Sequence, residues 1–215
     1  QFEEMNQDNI YIVDKRENYV CYLRTKLYLK ENDIIFCKAD YIELLFKYLK
    51  NVKNLKNLKL ITSQSDLKIN KKIYSKKPEC ISYWYAANLL KEDKNLISIP
   101  LGIANDYSSK NLKEENFINH KLLNQTKEKN KIYVNFNPNT NYFFRKKILK
   151  EISKNPIFTP LKSNLSIKQY SEDLSKYKYI LCPSGNGIDT HRIWEALYSN
   201  SIPIIFSKHK LGYFN

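Results

Sequence analysis

The residues that decide the fold run from Tyr179 to Ile205 and read YILCPSGNGIDTHRIWEALYSNSIPII. The first four residues of this stretch predict a buried strand, and a loop with two glycines follows them. A helix is then predicted from about Thr190 to Tyr198, and a second apolar strand over 202–206. A strand, a helix and a strand in this order predict a right-handed crossover between parallel strands. The glycine loop follows the carboxyl end of the first strand, where open α/β sheets bind ligands.

The glycine loop and the start of the helix have the features of an anion site. Gly185 and Gly187 let backbone amides approach a ligand closely and adopt positive φ at little cost. Asp189 or Thr190 is expected to cap the helix that follows. Because the free N–H groups and the dipole of that helix face the same loop, a phosphate is the natural ligand there.

Two charged residues on the helix extend this interpretation. Arg192 and Glu195 are three residues apart and share one face. The guanidinium can pair with a diphosphate, and the carboxylate can accept both hydroxyls of a ribose. The residues themselves fit a second interpretation equally well, namely a surface Arg–Glu pair on an ordinary helix with glycines that serve only the turn.

The rest of the chain also alternates between strands and helices. In the first half, strands are predicted at 34–37, 58–62, 81–84 and 96–99, and helices at 41–49 and 85–91. In the second half, strands are predicted at 132–136 and 157–159, and helices at 142–153 and 166–177, the last of these capped by Ser166. The polar stretch 105–130 is predicted to connect two domains and to contain one irregular helix.

These elements predict an α/β protein with two Rossmann-like domains, 1–125 and 126–215, each built on a parallel sheet. The chain ends soon after the fourth strand of the second half, so we expect that domain to be incomplete. The sequence begins with Gln1 and has neither a signal-peptide pattern nor an apolar stretch of about 20 residues. Membrane association would then depend on a segment outside this chain, and the sequence leaves both the cytoplasm and the Golgi lumen open as locations.

The composition narrows the possible functions. Lys and Arg number 36 against 22 Asp and Glu, a net charge of +14. The lysines are spread along the chain, which favours a solvated basic surface over a nucleic-acid interface. Such a surface would still attract a diphosphate. No cysteine pair has zinc or redox spacing, and Cys37 and Cys182 are expected to be buried free thiols. Nucleophilic-serine and Walker-type motifs are missing as well.

The segment from Pro183 to Leu197, together with residues 201–205, resembles the signature of exostosin-like glycosyltransferases and their viral and algal relatives. Upstream segments with the same resemblance are 60–66 (LITSQSD), 81–88 (ISYWYAAN) with 99–103 (IPLGI), and 133–136 (YVNF). One departure is Ser63-Gln64, where the relatives tend to have a His-Asn pair. The resemblance implies a GT-B fold, a UDP- or GDP-sugar donor held mainly by the C-terminal half, and no obligatory metal.

The resemblance also implies roles for single residues. Gly185, Asn186 and Gly187 would line the donor phosphates, Arg192 would contact the diphosphate and Glu195 the ribose. Further donor-site residues on these segments are Thr140, Asn141, Arg145, Ser184, Asp189 and His191. For His191, a bond to a phosphate or to the sugar competes with simple packing on the loop.

The expected reaction is transfer of the sugar, with inversion, to a hydroxyl of a glycan or glycoprotein. Such a transfer needs a base for the acceptor proton. Asp66, after a strand end, and Asp40 are the candidates, and a turn or helix cap is the alternative role for each. Two other functions stay open: a catalytically silent module that binds sugar or nucleotide, and a basic nucleic-acid-binding domain.

Overall fold

The computed structural model describes residues 10–16, 19–24, 29–52, 54–105, 111–118, 126–162 and 164–206. The strands are β1 (Ile10–Arg16), β2 (Tyr19–Arg24), β3 (Ile34–Lys38), β4 (Leu58–Ser63), β5 (Ile81–Ala86), β6 (Leu96–Ser98), β7 (Glu128–Tyr133), β8 (Tyr177–Leu181) and β9 (Ile202–Ile204). The helices are α1 (Ile42–Leu49), α2 (Lys71–Tyr74), α3 (Glu115–Ile118), α4 (Tyr142–Ile152), α5 (Ile167–Lys176) and α6 (His191–Tyr198).

The first sheet is parallel, with its strands in the order β3-β4-β5-β6. Leu60 on β4 and Trp84 on β5 are buried in one core with Ile42 and Phe46 of helix α1. Trp84 is fully buried among these side chains, with its indole N–H donating to Thr62 Oγ1 at 2.8 Å. The ring of Phe46 on α1 meets it edge-on at 5.4 Å.

The second sheet is also parallel, in the order β7-β8-β9. In place of the strand predicted at 157–159, an isolated parallel bridge joins Phe158 to Ile132 on β7. There Ile132 donates its N–H to the Ile157 carbonyl and accepts one from Thr159. Helix α5 begins with a capping box between Ser166 and Gln169, so the predicted Ser cap is confirmed. The α/β class and the parallel sheets predicted for both halves are therefore confirmed.

Part of the polar connection packs on the second sheet. Leu112 and Phe117 are buried in the same cluster as Ile180 and Ile193. The Phe117 ring also lies 5.5 Å from the ring of Tyr198 at the end of α6. Residues upstream of the predicted boundary at 125 thus belong to the second core, which polarity alone did not indicate.

One predicted helix is wrong. Residues 85–91 have apolar side chains at helical spacing, but β5 continues through Ala86 and the chain turns at Asn88. Asn88 has a left-handed backbone with φ 56°, which asparagine tolerates better than most residues. Leu89 then pairs in parallel with Ile69. The antiparallel β1–β2 hairpin is a further element that the apolar pattern did not predict.

None of the helices in the described part of the chain is both long and apolar enough to cross a membrane. The described cysteines 37, 80 and 182 are free. Burial raises the pKa of the Cys182 thiol to about 12 and, together with Asp40, that of Cys37 to about 11. Cys182 is therefore the buried free thiol that was expected, whereas Cys37 is free but only partly buried.

A buried carboxylate on α5 makes a testable contribution to stability. Asp173 accepts hydrogen bonds from Tyr133 Oη at 3.2 Å and from Lys162 Nζ at 2.6 Å. Burial alone would raise the pKa of Asp173, but the hydrogen bonds and charge of Lys162 outweigh it and the pKa is lowered. This stabilisation is present above the unfolded-state pKa of about 3.9 and is lost as the pH falls through the lower folded-state value.

We therefore expect Asp173→Asn to lower the free energy of unfolding by about 1–3 kcal/mol at pH 7 and by less at pH 3. Urea denaturation at the two pH values measures both losses. Glu151→Gln, which removes an exposed carboxylate 3.9 Å from Lys147, is the control and should change little at either pH. An equal loss at both pH values in Asp173→Asn would contradict the assigned ionisation.

Candidate functional site

A cleft of about 440 Å³ lies where the carboxyl ends of the two parallel sheets face each other. We call it the central cleft. The loop after β4 forms one wall, and the loops after β7 and β8 with the start of α6 form the other. Its lining residues are Gln64, Ser65, Asp66, Leu101, Asn111, Thr140, Arg145, Gly185, Asn186, Gly187, Asp189, Thr190, His191, Arg192 and Glu195.

The side chain of Asn88 joins the two walls of the cleft. Its Oδ1 accepts the backbone N–H groups of Ile188 at 2.7 Å and Asp189 at 2.9 Å. Its Nδ2 donates to the Ser65 carbonyl at 2.8 Å. Because Asn88 is only 1% exposed, these three bonds satisfy an amide that water does not reach. The turn that breaks the predicted helix thus connects the glycine loop to the first sheet.

The contact of Asn88 with the glycine loop requires a glycine at position 187, whereas the backbone angles at that position do not. Neither Gly185 nor Gly187 has positive φ, so the conformational reason expected for them is wrong. A Cβ on Gly187 would lie 2.8 Å from Asn88 Oδ1 and 3.1 Å from Asp66 Oδ1. A Cβ on Gly185 would meet nothing closer than 3.6 Å. Close approach of the backbone is therefore essential only at Gly187.

The start of α6 carries an unsatisfied hydroxyl. Thr190 occupies the N-cap position, but its side chain makes no capping bond. Its Oγ1 is buried and has no hydrogen-bond partner. Asp189, the other predicted cap, instead accepts the Leu101 N–H at 2.7 Å and the Trp194 indole N–H at 2.8 Å. The first turn of a helix leaves its N–H groups without partners, so Thr190 and these amides offer hydrogen-bonding capacity to a ligand.

Arg145 on α4 holds the glycine loop in place through hydrogen bonds to backbone carbonyls. Its guanidinium donates to the carbonyls of Ser184 at 2.9 Å, Asn137 at 2.7 Å and Pro183 at 3.3 Å. No carboxylate is among these partners. Burial, and secondarily the charge of Arg192, lowers the pKa of Arg145 to about 10, so the group stays cationic at neutral pH.

Two neighbours of Arg145 in sequence support the same loop. Asn141, the N-cap residue of α4 with φ 48°, donates to the Gly185 carbonyl at 3.0 Å. The Thr140 methyl group would lie 3.7 Å from a Cβ on Gly185. Of the residues predicted here, Thr140 and Arg145 line the central cleft, whereas Asn141 and Ser184 are not among its lining residues.

Arg192 and Glu195 are linked through Tyr170, which the sequence analysis missed. Tyr170 Oη donates to Glu195 Oε2 at 2.7 Å and accepts a bond of 2.7 Å from Arg192 Nη1. Glu195 Oε1 also accepts the Leu112 N–H at 3.3 Å. Burial works against the charge of Arg192, but nearby Tyr170 and Glu195 outweigh it and the pKa of Arg192 is raised. Both predicted residues line the cleft and form one connected group.

His191 lies at the edge of the cleft with a defined tautomer. Its Nδ1 is 2.8 Å from the Gly102 carbonyl, and a carbonyl only accepts. The neutral imidazole therefore carries its proton on Nδ1 and keeps the Nε2 lone pair for a ligand. Gly102 itself has φ 74°, a left-handed backbone that favours glycine.

The two candidate bases have different surroundings. Asp66 is exposed, lines the central cleft and faces Gly187. Asp40 is not part of the lining: its Oδ1 accepts from Ser65 Oγ at 2.6 Å, and its Oδ2 lies 3.2 Å from Lys38 Nζ. Asp40 thus supports the residue beside Asp66. Gln64, two residues before Asp66, has a left-handed backbone with φ 57°. Residues other than glycine adopt this conformation mainly at turns and functional sites.

The described residues contain no group of three His, Cys, Asp or Glu side chains that could hold a metal ion. The charged residues of the cleft lining are Arg145 and Arg192 together with Asp66, Asp189 and Glu195. No protein-family model and no curated protein matches the sequence.

The two glycines of the loop give a matched test of the Asn88 connection. We expect Gly187→Ala to lower the free energy of unfolding by about 1–3 kcal/mol, because the new methyl group displaces the Asn88 amide. Gly185→Ala should leave it unchanged or raise it by up to about 1 kcal/mol. Urea denaturation of both variants measures the difference. Equal effects of the two substitutions would contradict the close approach assigned to Gly187.

Proposed function

We propose that this chain is a GT-B glycosyltransferase that moves a sugar from a nucleoside-diphosphate sugar to a hydroxyl of a glycan or glycoprotein, with inversion. One observation carries the proposal: Thr190, which lines the cleft between the two parallel sheets at the start of α6, holds a buried hydroxyl without a hydrogen-bond partner. Ligands of α/β proteins bind at such carboxyl-end crevices. The resemblance of residues 183–205 to exostosin-like enzymes supports the same class.

The start of α6 suits the diphosphate. An unsatisfied buried hydroxyl costs about 1–3 kcal/mol, and a phosphate oxygen would remove that cost by accepting from Thr190 Oγ1. The first-turn amides and the helix dipole favour the same anion. Arg145 and Arg192, both in the lining, add positive charge. Arg145 is held by backbone carbonyls alone, so no carboxylate neutralises it.

Glu195 suits the ribose. A carboxylate oxygen has about two lone-pair sites, and each oxygen of Glu195 accepts one bond within the protein, from Leu112 or Tyr170. One site on each oxygen is left for a ribose hydroxyl. Tyr170 also accepts a hydrogen bond from Arg192. The Tyr170 hydroxyl therefore orients both Glu195, which is proposed to bind the ribose, and Arg192, which is proposed to bind the diphosphate.

The groups proposed to bind the diphosphate also suit the proposed sugar transfer. As the bond between the anomeric carbon and the diphosphate breaks, negative charge develops on the leaving phosphate oxygen. Positioned donors stabilise that charge without rearranging. Thr190, the α6 amides and Arg192 would be those donors.

A catalytically silent binding module is the second candidate. The bonds of Glu195 and Arg192 to Tyr170 favour it, because internal partners of this kind also fit a purely structural group. Both candidates bind the nucleotide, and sugar transfer separates them. A nucleic-acid-binding domain would differ from both in binding an oligonucleotide with steep salt dependence.

Thr190→Val tests the phosphate site, since it removes the hydroxyl and keeps the shape. We expect the apo protein to be as stable as the wild type or more stable, because the unsatisfied group is gone. UDP or GDP, whichever the wild type binds, should bind about 5–15-fold more weakly, which corresponds to about 1–1.5 kcal/mol. Calorimetry at fixed salt measures the dissociation constants.

Ser98→Ala is the matched control. Ser98 Oγ is the other buried hydroxyl without a partner in the described residues, and Ser98 is not among the lining residues of the cleft. Its removal should affect stability in the same direction and leave nucleotide affinity unchanged. If Thr190→Val bound UDP and GDP as tightly as the wild type, the phosphate would not lie at α6. If the wild type bound neither nucleotide, the proposed function itself would fail.

A further inference from the structure

A second, smaller pocket adjoins the central cleft. It has a volume of about 300 Å³ and lies on the side of the first sheet. We call it the side pocket. Its lining residues are Phe36, Ser63, Gln64, Leu101, Ile103, Ala104, Asn105 and His191. Gln64, Leu101 and His191 also line the central cleft, so these three residues form a common wall.

The side pocket combines one large apolar surface with a few polar groups. Phe36 on β3 is 55% exposed. An exposed aromatic ring can pack against the C–H face of a sugar, which is apolar, while hydroxyls at the rim of the sugar need hydrogen bonds. Ser63 and Gln64 supply a hydroxyl and an amide beside the ring. This composition is typical of a small polar ligand site.

The common wall places a proton acceptor between the two spaces. His191 donates Nδ1–H to the Gly102 carbonyl, so Nε2 is the ring nitrogen that keeps a lone pair. Asp66 is exposed and lines only the central cleft. Among the described residues, His191 is thus the titratable side chain common to both spaces. The charged groups that share the central cleft with it are Asp66, Arg145, Asp189, Arg192 and Glu195.

We infer that the side pocket is the acceptor subsite, in which a sugar ring packs on Phe36, and that His191 is the catalytic base. This inference rests on the proposed transferase function. An acceptor hydroxyl gives its proton to His191 Nε2, which forms an imidazolium. The hydroxyl oxygen forms a bond to the anomeric carbon of the donor sugar. The bond from that carbon to the diphosphate oxygen breaks, and the diphosphate keeps the electron pair.

The subsite is tested without any nucleotide. A panel of methyl glycosides of glucose, galactose, mannose, fucose and xylose is titrated against the protein, with saturation-transfer NMR as the readout. We expect at least one glycoside to bind, Phe36→Ala to weaken its binding at least tenfold, and Phe36→Tyr to preserve it. Phe143→Ala removes an 87% exposed phenylalanine on α4 that lines neither space, and should change nothing.

Two results of that titration would overturn the subsite: no glycoside binds the wild type, or the bound one is unaffected by Phe36→Ala. Binding of UDP and GDP at the central cleft is measured separately and does not depend on either result. Failure of this inference and failure of the proposed function are therefore distinguishable.

The base is tested with His191→Gln, because a glutamine amide can still donate to the Gly102 carbonyl. We expect nucleotide affinity within about twofold of the wild type and kcat for sugar transfer lower by about 10²–10⁴-fold. The acid limb of the rate–pH profile should disappear, which loss of a merely structural contact would not cause. Asp66→Asn should keep that limb. If Asp66→Asn removed it and His191→Gln retained it, Asp66 would be the base and the inference would be overturned.

Discussion

The side-chain amide of Asn88 is the contact on which the shape of the central cleft depends. A buried amide must find partners for both its oxygen and its nitrogen. Asn88 does so with backbone groups of Ile188, Asp189 and Ser65, which belong to loops of the two different sheets. Moving either loop would leave an amide group unsatisfied in the interior. The cleft wall is therefore fixed before any ligand arrives, as preorganised binding requires.

Two further contacts cross the cleft beside Asn88. Asp189 accepts the Leu101 N–H, and His191 donates to the Gly102 carbonyl. All three links tie the start of α6 to loops that follow strands β5 and β6. The residues that hold the two halves together thus come from the same segment that is proposed to hold the donor. A substitution in this segment can alter stability and binding together, which is why isosteric changes are needed to separate the two.

The charges of the site follow from how the arginines are satisfied. Arg145 is surrounded by carbonyl oxygens rather than by carboxylates, and Arg192 shares one tyrosine hydroxyl with Glu195. Carbonyls orient a guanidinium without cancelling its charge. The two arginines share the cleft lining with the carboxylates Asp66, Asp189 and Glu195. The net charge of +14 gives the protein a general attraction for anions.

Much of this arrangement could be predicted from sequence, and the exceptions have a common cause. The strand, glycine loop and helix of 179–205 were predicted from apolar spacing, and ten of the proposed residues lie in the cleft lining. Asn88 was missed because its neighbours have helical spacing, whereas β5 pairs through Ala86 and Leu89 pairs with Ile69, contacts that only the tertiary structure provides. Tyr170 was missed because its role depends on how α5 packs against α6. Contacts between distant segments leave no local pattern.

A crystal structure of the protein with bound UDP, or with GDP if that is the nucleotide it binds, tests the central claim most directly. The account predicts the diphosphate at the start of α6, with a phosphate oxygen within hydrogen-bond distance of Thr190 Oγ1 and the ribose hydroxyls at Glu195. A nucleotide bound elsewhere, with Thr190 Oγ1 still unpartnered, would contradict it.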